Sequence, residues 1–195
     1  ATDGFNADPG EMINIGVTPK LTERGGLAGC ASSHIRMWKH IADNKLGWTL
    51  ILEDDAHFHP NFIELFKEYW KNVPTDAKIV FPGFCGDETR ISKHGPVSDE
   101  AVMCLHAYML SHDGAQYLLD NLLPMTEPVD IELKDHFAKL HHKGSYIFNG
   151  SVLINGVVPN DYKNKNGKRC MFNGIVYQNQ GEQGSTIHKQ ETVYE

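Results

Sequence analysis

The stretch Gly47-Trp48-Thr49-Leu50-Ile51-Leu52-Glu53-Asp54-Asp55-Ala56-His57-Phe58 constrains this chain more than any other. A mostly apolar run, Trp48 to Leu52, passes directly into consecutive acids. Such a run predicts a buried central strand covered on both faces. The carboxyl end of such a strand is where an open α/β sheet places its ligand crevice. Carboxylates crowded there repel one another and raise one another's pKa values. A hard divalent cation removes the conflict, because Mg²⁺ and Mn²⁺ favour carboxylate oxygen. Glu53, Asp54 and Asp55 therefore read as a metal site for a phosphorylated substrate. The alternative is an acidic turn that caps the next helix, since Asp is common in turns.

Around this stretch, strand and helix patterns alternate. Glycines and prolines punctuate residues 1 to 29 and predict irregular chain, with one short strand over Ile13, Ile15 and Val17. From Ala31 to about Asn44, Ile35, Trp38, Ile41 and Ala42 recur at helical spacing, with Ser32 or Ser33 as N-cap. Pro60 suits the first turn of a helix whose apolar face is Phe62, Phe66, Tyr69 and Trp70. Lys78 to Phe81 predicts a strand ended by Pro82-Gly83, and residues 84 to 100 a long polar loop. Val102 to Leu110 predicts a strand, Gly114 to Asn121 a helix capped by Ser111, and Asp130 opens a helix carrying Ile131, Leu133, Phe137 and Leu140. Tyr146 to Phe148 and Gly174 to Tyr177 are short strands, separated by a basic, turn-rich loop from Asn160 to Arg169. The tail after Ile187 is polar and loose. The alternation predicts an α/β sandwich. Neither a GxGxxG nor a GxxxxGK[ST] loop occurs, so no dinucleotide-binding or P-loop site is indicated.

A length of 195 residues fits one domain, residues 1 to 195, with a core that needs no staples. A net charge of −7 argues against a broad nucleic-acid surface. No apolar run reaches the ~20 residues needed to span a bilayer. Without a starting Met or a secretory signal, the chain reads as a fragment or a processed form. Cys30, Cys85, Cys104 and Cys170 are widely spaced with no CxxC pair, so buried free thiols are expected rather than cysteine-bound zinc.

Several stretches together resemble glycosyltransferase family 25, which includes bacterial lipooligosaccharide galactosyltransferases and animal procollagen galactosyltransferases. Ala1-Thr2-Asp3-Gly4 resembles its A-x-D-G segment, and Gly29-Cys30-Ala31-Ser32-Ser33-His34-Ile35-Arg36-Met37-Trp38 its G-C-x-x-S-H-x-x-x-W segment. Leu50 to Asp55 resembles its L-x-L-E-D-D. His106-Ala107-Tyr108-Met109-Leu110-Ser111, with Gly114-Ala115 and Leu118-Leu119, resembles its A-Y-x-x-S-x-x-G-A-x-x-L-L stretch. Pro128-Val129-Asp130 resembles its P-V-D, and Tyr177-Gln178 with Ser185-Thr186-Ile187 its closing Q…S-x-I. Two features depart from the pattern: the family's opening strand is absent, and Leu27 stands where Glu is usual. The resemblance implies a GT-A fold with a central mixed sheet flanked by helices. It further implies a UDP-sugar donor, with galactose as the sugar, dependence on Mn²⁺ (Mg²⁺ as the alternative), and transfer with inversion.

Within that resemblance each candidate residue has an expected role. Glu53 and Asp55 alternate along an extended chain and can point to one side, as in a DxD-type motif. Asp55 is the expected direct metal ligand, and Glu53 or Asp54 binds the metal through water or meets the ribose. His188 is the candidate for a further metal ligand near the C-terminus, or else a solvated tail histidine. His57 and His59 are read as wall residues. Asp130 is the expected base that deprotonates the acceptor hydroxyl, or an N-cap carboxylate, with Asp54 as the fallback base. Asp3 is expected at the ribose or base. Ser33 and His34 are expected at a helix start, in reach of the donor, with a buried His34 bonded to backbone as the more common outcome. The acceptor is a glycan or glycoprotein, and it decides the compartment. A bacterial enzyme lies in the cytoplasm at the inner membrane, peripherally associated, and a collagen enzyme in the endoplasmic reticulum lumen. The missing KDEL-type ending favours the cytoplasm. Two competing functions are a catalytically silent carbohydrate- or partner-binding domain and a metal-dependent phosphohydrolase using the same acids with His57 and His59.

Overall fold

The structure is a computed structural model that describes residues 4, 6–86, 95–96, 103–140, 145–147, 162–163 and 169–178. It is a mixed α/β protein whose chain divides into two compact units. One holds the described residues of Ala1–Gly47 and His112–His136, and the other those of Trp48–Ser111 and Phe137–Asn179.

The first unit is helical. Helix α1 spans Pro9–Ile15. Its N-terminus is fixed by the Asp8 carboxylate, which accepts from Gly10 N at 2.9 Å, and Pro9 stands in the first turn. Gly16, at φ 116°, closes it in the left-handed region. The strand expected over Ile13 to Val17 is therefore corrected to a helix, and only Val17 makes a bridge, with Met125. After the short α2, Pro19–Thr22, helix α3 runs over Gly25–Asp43. It starts earlier than the spacing predicted, because its glycines lie inside the helix rather than breaking it. A side chain on Gly4 would collide with Gly25 O and come within 2.6 Å of Gly29 N, so backbone packs directly on this helix. Ala31, Ile35, Trp38 and Ile41 form its buried stripe. Arg36 pairs with Glu11 at 2.6 Å and Lys39 donates to Ile15 O at 3.1 Å, tying α3 to α1. Helices α5, His112–Leu122, and α6, Val129–Lys139, follow the predicted positions within a few residues.

The second unit carries the strands. Strand β1 is Thr49–Leu52, β2 Ala56–Phe58, β3 Ile79–Gly86, β4 Gly95–Pro96, β5 Met103–Leu110, β6 Ser145–Ile147, β7 Tyr162–Lys163, β8 Arg169–Gly174 and β9 Val176–Gln178. The main sheet follows the order β1-β5-β3-β6-β4, with β8 also on β3 and β7 on β8. Among the described residues, β3–β6 is the parallel pair of this sheet and its other pairs are antiparallel, so the sheet is mixed. Strand β3 does not stop at Pro82-Gly83, as expected, but continues through them. Pro82 lacks an N–H and falls where β3 changes partner: residues Ile79 to Phe81 pair with β6, and Gly83 to Gly86 with β8.

Strand β1 is not the central strand that its apolar run predicted. It stands at the end of the described strand order, pairs antiparallel with β5 alone, and buries only Ile51 fully. Trp48 and Leu52 are 37% and 42% exposed. Helix α4, Phe62–Trp70, carries its apolar face onto a core of Ala77, Val80, Ala107, Met109, Ile175 and Val176. Rings at four-residue spacing on that helix continue a row from Phe58 through Phe62, Phe66 and Trp70 to Trp48, with centroids 4.7 to 5.5 Å apart. The row links the residue before β1 to the end of β2. Cys104 is disulfide-bonded, contrary to the expectation of free thiols, while Cys30 is in no disulfide.

Candidate functional site

The acids lie where the chain passes from one sheet to another. Leu52 is paired with Ala107, and the ladder extends one residue further, with Glu53 N donating to His106 O at 3.0 Å. Ala56 N then donates to Glu53 O at 3.2 Å, so Glu53 to Ala56 form a β-turn with Asp54 and Asp55 at its two central positions. Beyond it, β2 pairs with β9 through Ala56–Gln178, His57–Tyr177 and Phe58–Val176. His59 N donates to Ile175 O at 3.0 Å. The extended geometry expected for Glu53 and Asp55 is thereby replaced by a tight turn that carries the same acids. Asp54 is exposed, and Glu53 and Asp55 are half-buried. Oδ1 of Asp55 is sealed from solvent, a position that disfavours uncompensated charge. Carboxylate oxygens on one short turn are hard donors of the kind that suit Mn²⁺ or Mg²⁺, which keep water and phosphate oxygens among their ligands.

Behind the turn lies His106, fully buried within β5. Its Nε2 stands 3.2 Å from Val176 O. A carbonyl oxygen only accepts, so Nε2 carries the proton and Nδ1 is the bare nitrogen. Nδ1 is buried with no hydrogen-bond partner among the described residues. An unsatisfied buried polar atom costs about 1–3 kcal/mol. Burial pushes the ring below the ordinary histidine range, and this outweighs the opposing bond to Val176 and the Glu53 charge, so the ring is neutral at pH 7. Sequence reasoning gave His106 no role. The available signal was a polar residue inside the apolar strand Met103–Leu110.

The two histidines after the turn differ. His57 is exposed, whereas His59 Nδ1 accepts from Asn61 N at 3.0 Å at the start of α4. That bond occupies one ring nitrogen of His59 and suits a wall residue.

In the helical unit, Ser33 and His34 lie in the middle of α3, not at a helix start. Their expected access to free helix N–H groups is therefore corrected. Ser33 Oγ donates back to Gly29 O at 2.9 Å, and His34 is 5% exposed. Asp130 is the second residue of α6, and its Oδ1 accepts from Ile131 N at 2.9 Å. A half-buried carboxylate in a first helical turn is stabilised there by the helix dipole. Nearby, Glu132 Oε1 accepts from Thr126 N, Thr126 Oγ1 and Glu127 N at 2.6 to 2.9 Å. Asp3 and His188 lie outside the described residues.

The family model described as glycosyltransferase family 25 (LPS biosynthesis protein) matches residues 12–133. The chain belongs to glycosyltransferase family 25. The family match takes in Ser33, His34, the acidic turn, His106 and Asp130, and leaves Asp3 and His188 outside. A provisionally named glycosyltransferase of Acanthamoeba polyphaga mimivirus is 32% identical over 111 residues, covering 50% of this chain and 34% of that protein. The same virus has a procollagen lysyl hydroxylase and glycosyltransferase that is 27% identical over 154 residues, covering 67% of this chain and 17% of that protein. A provisionally named glycosyltransferase of Haemophilus influenzae is 28% identical over 128 residues, 61% of this chain and 43% of that protein. The family 25 chain thus spans less than half the length of each of these relatives. No helix among its described residues is long and apolar enough to cross a membrane.

Proposed function

We propose that this family 25 chain is a GT-A-type glycosyltransferase domain that moves galactose from UDP-galactose to a hydroxyl of a glycan or glycoprotein, with inversion. The observation that carries the reading is the carboxylate-bearing turn Glu53-Asp54-Asp55 at the end of β1, in a chain of this family. Asp55 and Glu53 would hold Mn²⁺, or Mg²⁺ in its place, with His188 as a further ligand. When bound, the cation neutralises the diphosphate leaving group and orients it. Asp54 and Asp3 would meet the ribose or base.

In the transfer, the acceptor O–H gives its proton to the Asp130 carboxylate, with Asp54 as the alternative base. The acceptor oxygen forms a bond to the anomeric carbon as the bond from that carbon to the β-phosphate oxygen breaks, its electron pair leaving with UDP. The Ile131 N–H directed at Asp130 Oδ1 holds that carboxylate in place. The acceptor decides the compartment: the cytoplasmic face of the inner membrane for a lipooligosaccharide, the endoplasmic reticulum lumen for a collagen.

Titration calorimetry of UDP and UDP-galactose, with Mn²⁺ and then with EDTA, tests the reading. Binding with Mn²⁺ that disappears in EDTA is the expected result. Equal binding in both arms would remove the metal, and no binding in either would remove the nucleotide donor.

A further inference from the structure

His106 joins the two attachments from which the acidic turn hangs. The first attachment is its own main chain, whose carbonyl accepts from Glu53 N at 3.0 Å, at the start of the turn. The second is strand β9, where Val176 pairs with Phe58 at the end of β2 and Ile175 O accepts from His59 N at 3.0 Å. The His106 ring reaches from the first to the second, with Nε2 3.2 Å from Val176 O. On its way it passes Gly83, where a β-carbon would stand 2.6 Å from Nε2 and collide with Val176 O. An apolar side chain of similar size would fill the same volume without burying an unsatisfied Nδ1, and it would lose the link.

We propose that His106 is a positioning residue: through its ring bond to Val176 it fixes the separation of the two strand ends that carry Glu53-Asp54-Asp55, and so sets those carboxylates for the cation. The inference rests on the metal reading above. Groups that brace ligands from behind in this way commonly change metal affinity 10–100-fold when altered.

The two amide replacements of histidine separate this role from packing. Gln places its amide nitrogen near the Nε2 position and can still donate to Val176 O. Asn reaches only the Nδ1 position. In the full chain, His106→Gln is expected to bind UDP with Mn²⁺ within a few-fold of the unaltered protein, and His106→Asn about 10–100-fold more weakly. Hydrogen exchange at the Glu53 amide should be faster in the Asn variant alone. Equal binding by all three proteins, or equal loss in both variants, overturns the proposal.

If the Asn variant does not fold, the tautomer in the unaltered protein decides. Ring ¹⁵N shifts should show a neutral ring protonated at Nε2, and a ring protonated at Nδ1 overturns the brace. Failure of the unaltered protein to bind UDP with Mn²⁺ overturns the metal reading, and with it the purpose assigned to the brace. In that case an intact tautomer and slow Glu53 exchange show that the parent reading failed rather than the brace.

Discussion

The imidazole of His106 crosses Gly83 so closely that a β-carbon at residue 83 would stand 2.6 Å from Nε2. The main chain at 83 is therefore part of the wall that holds the ring against Val176. Gly83 lies in a buried part of β3, paired with Ala107 on one side and Gly174 on the other. The neighbours cannot retreat without breaking the ladder.

Gly83→Ala should lower stability by about 1–3 kcal/mol, the usual range for forcing atoms into a filled core. Thermal unfolding measures it. An unchanged Tm would mean that the ring can step aside, and the His106–Val176 bond would then be optional.

The buried His106 also makes stability depend on pH. Its folded-state pKa is lowered by burial, so below the ordinary histidine value of 6.5 the unfolded chain takes up a proton that the folded chain refuses. This contribution to stability is fully present above that value and is lost as pH falls from it towards the depressed folded pKa. The slope cannot exceed about 1.4 kcal/mol per pH unit for one group. Denaturant midpoints measured in metal-free buffer between pH 7 and pH 5 should fall less steeply in His106→Gln than in the unaltered chain. Parallel curves would show that other groups carry the pH dependence.

Asp55→Ala should abolish metal-dependent UDP binding and leave the fold intact. The turn is closed by a backbone bond from Ala56 N to Glu53 O, which does not involve the Asp55 side chain. Circular dichroism and calorimetry on the same sample check both halves. Unchanged UDP affinity with Mn²⁺ would remove Asp55 from the metal.

Asp130→Asn separates two roles of one carboxylate. The amide oxygen can still accept from Ile131 N, so losing the charge should cost only about 0.3–1 kcal/mol through the helix dipole. A base contributes about 10²–10⁴-fold to rate. A fall in kcat of that size with donor affinity and Tm nearly unchanged is expected, and a loss of a few-fold would leave Asp130 with its helical role only.

What was legible in the sequence was mostly local. The apolar spacing of Phe62, Phe66 and Trp70 gave α4, and the run ending at Leu110 gave β5, because side-chain periodicity is written residue by residue. The acidic stretch was recognised as a turn or a site from its composition alone. The position of β1 at the end of the described strand order was not legible, because pairing with β5 links residues far apart in the chain. The early start of α3 was hidden for a related reason: Gly25 and Gly29 look like breakers until Gly4 is found against them. At α1 the signals were present, with Asp8, Pro9 and Gly16 all in capping positions, but the alternation of Ile13, Ile15 and Val17 suggested a strand. The partner of His106 was out of reach, since Val176 is 70 residues away.

The ring row beside the acidic turn also gives the molecule an optical division. Of its three tryptophans, Trp38 is fully shielded in the helical unit, while Trp48 and Trp70 stand perpendicular at 5.0 Å in the other. One unit thus emits from a single solvent-shielded indole, and the other from a coupled pair, half open to water. Replacing Trp38 by Phe leaves a tryptophan fluorescence signal that belongs to the sheet unit alone, so the loosening of that unit can be followed in its own colour.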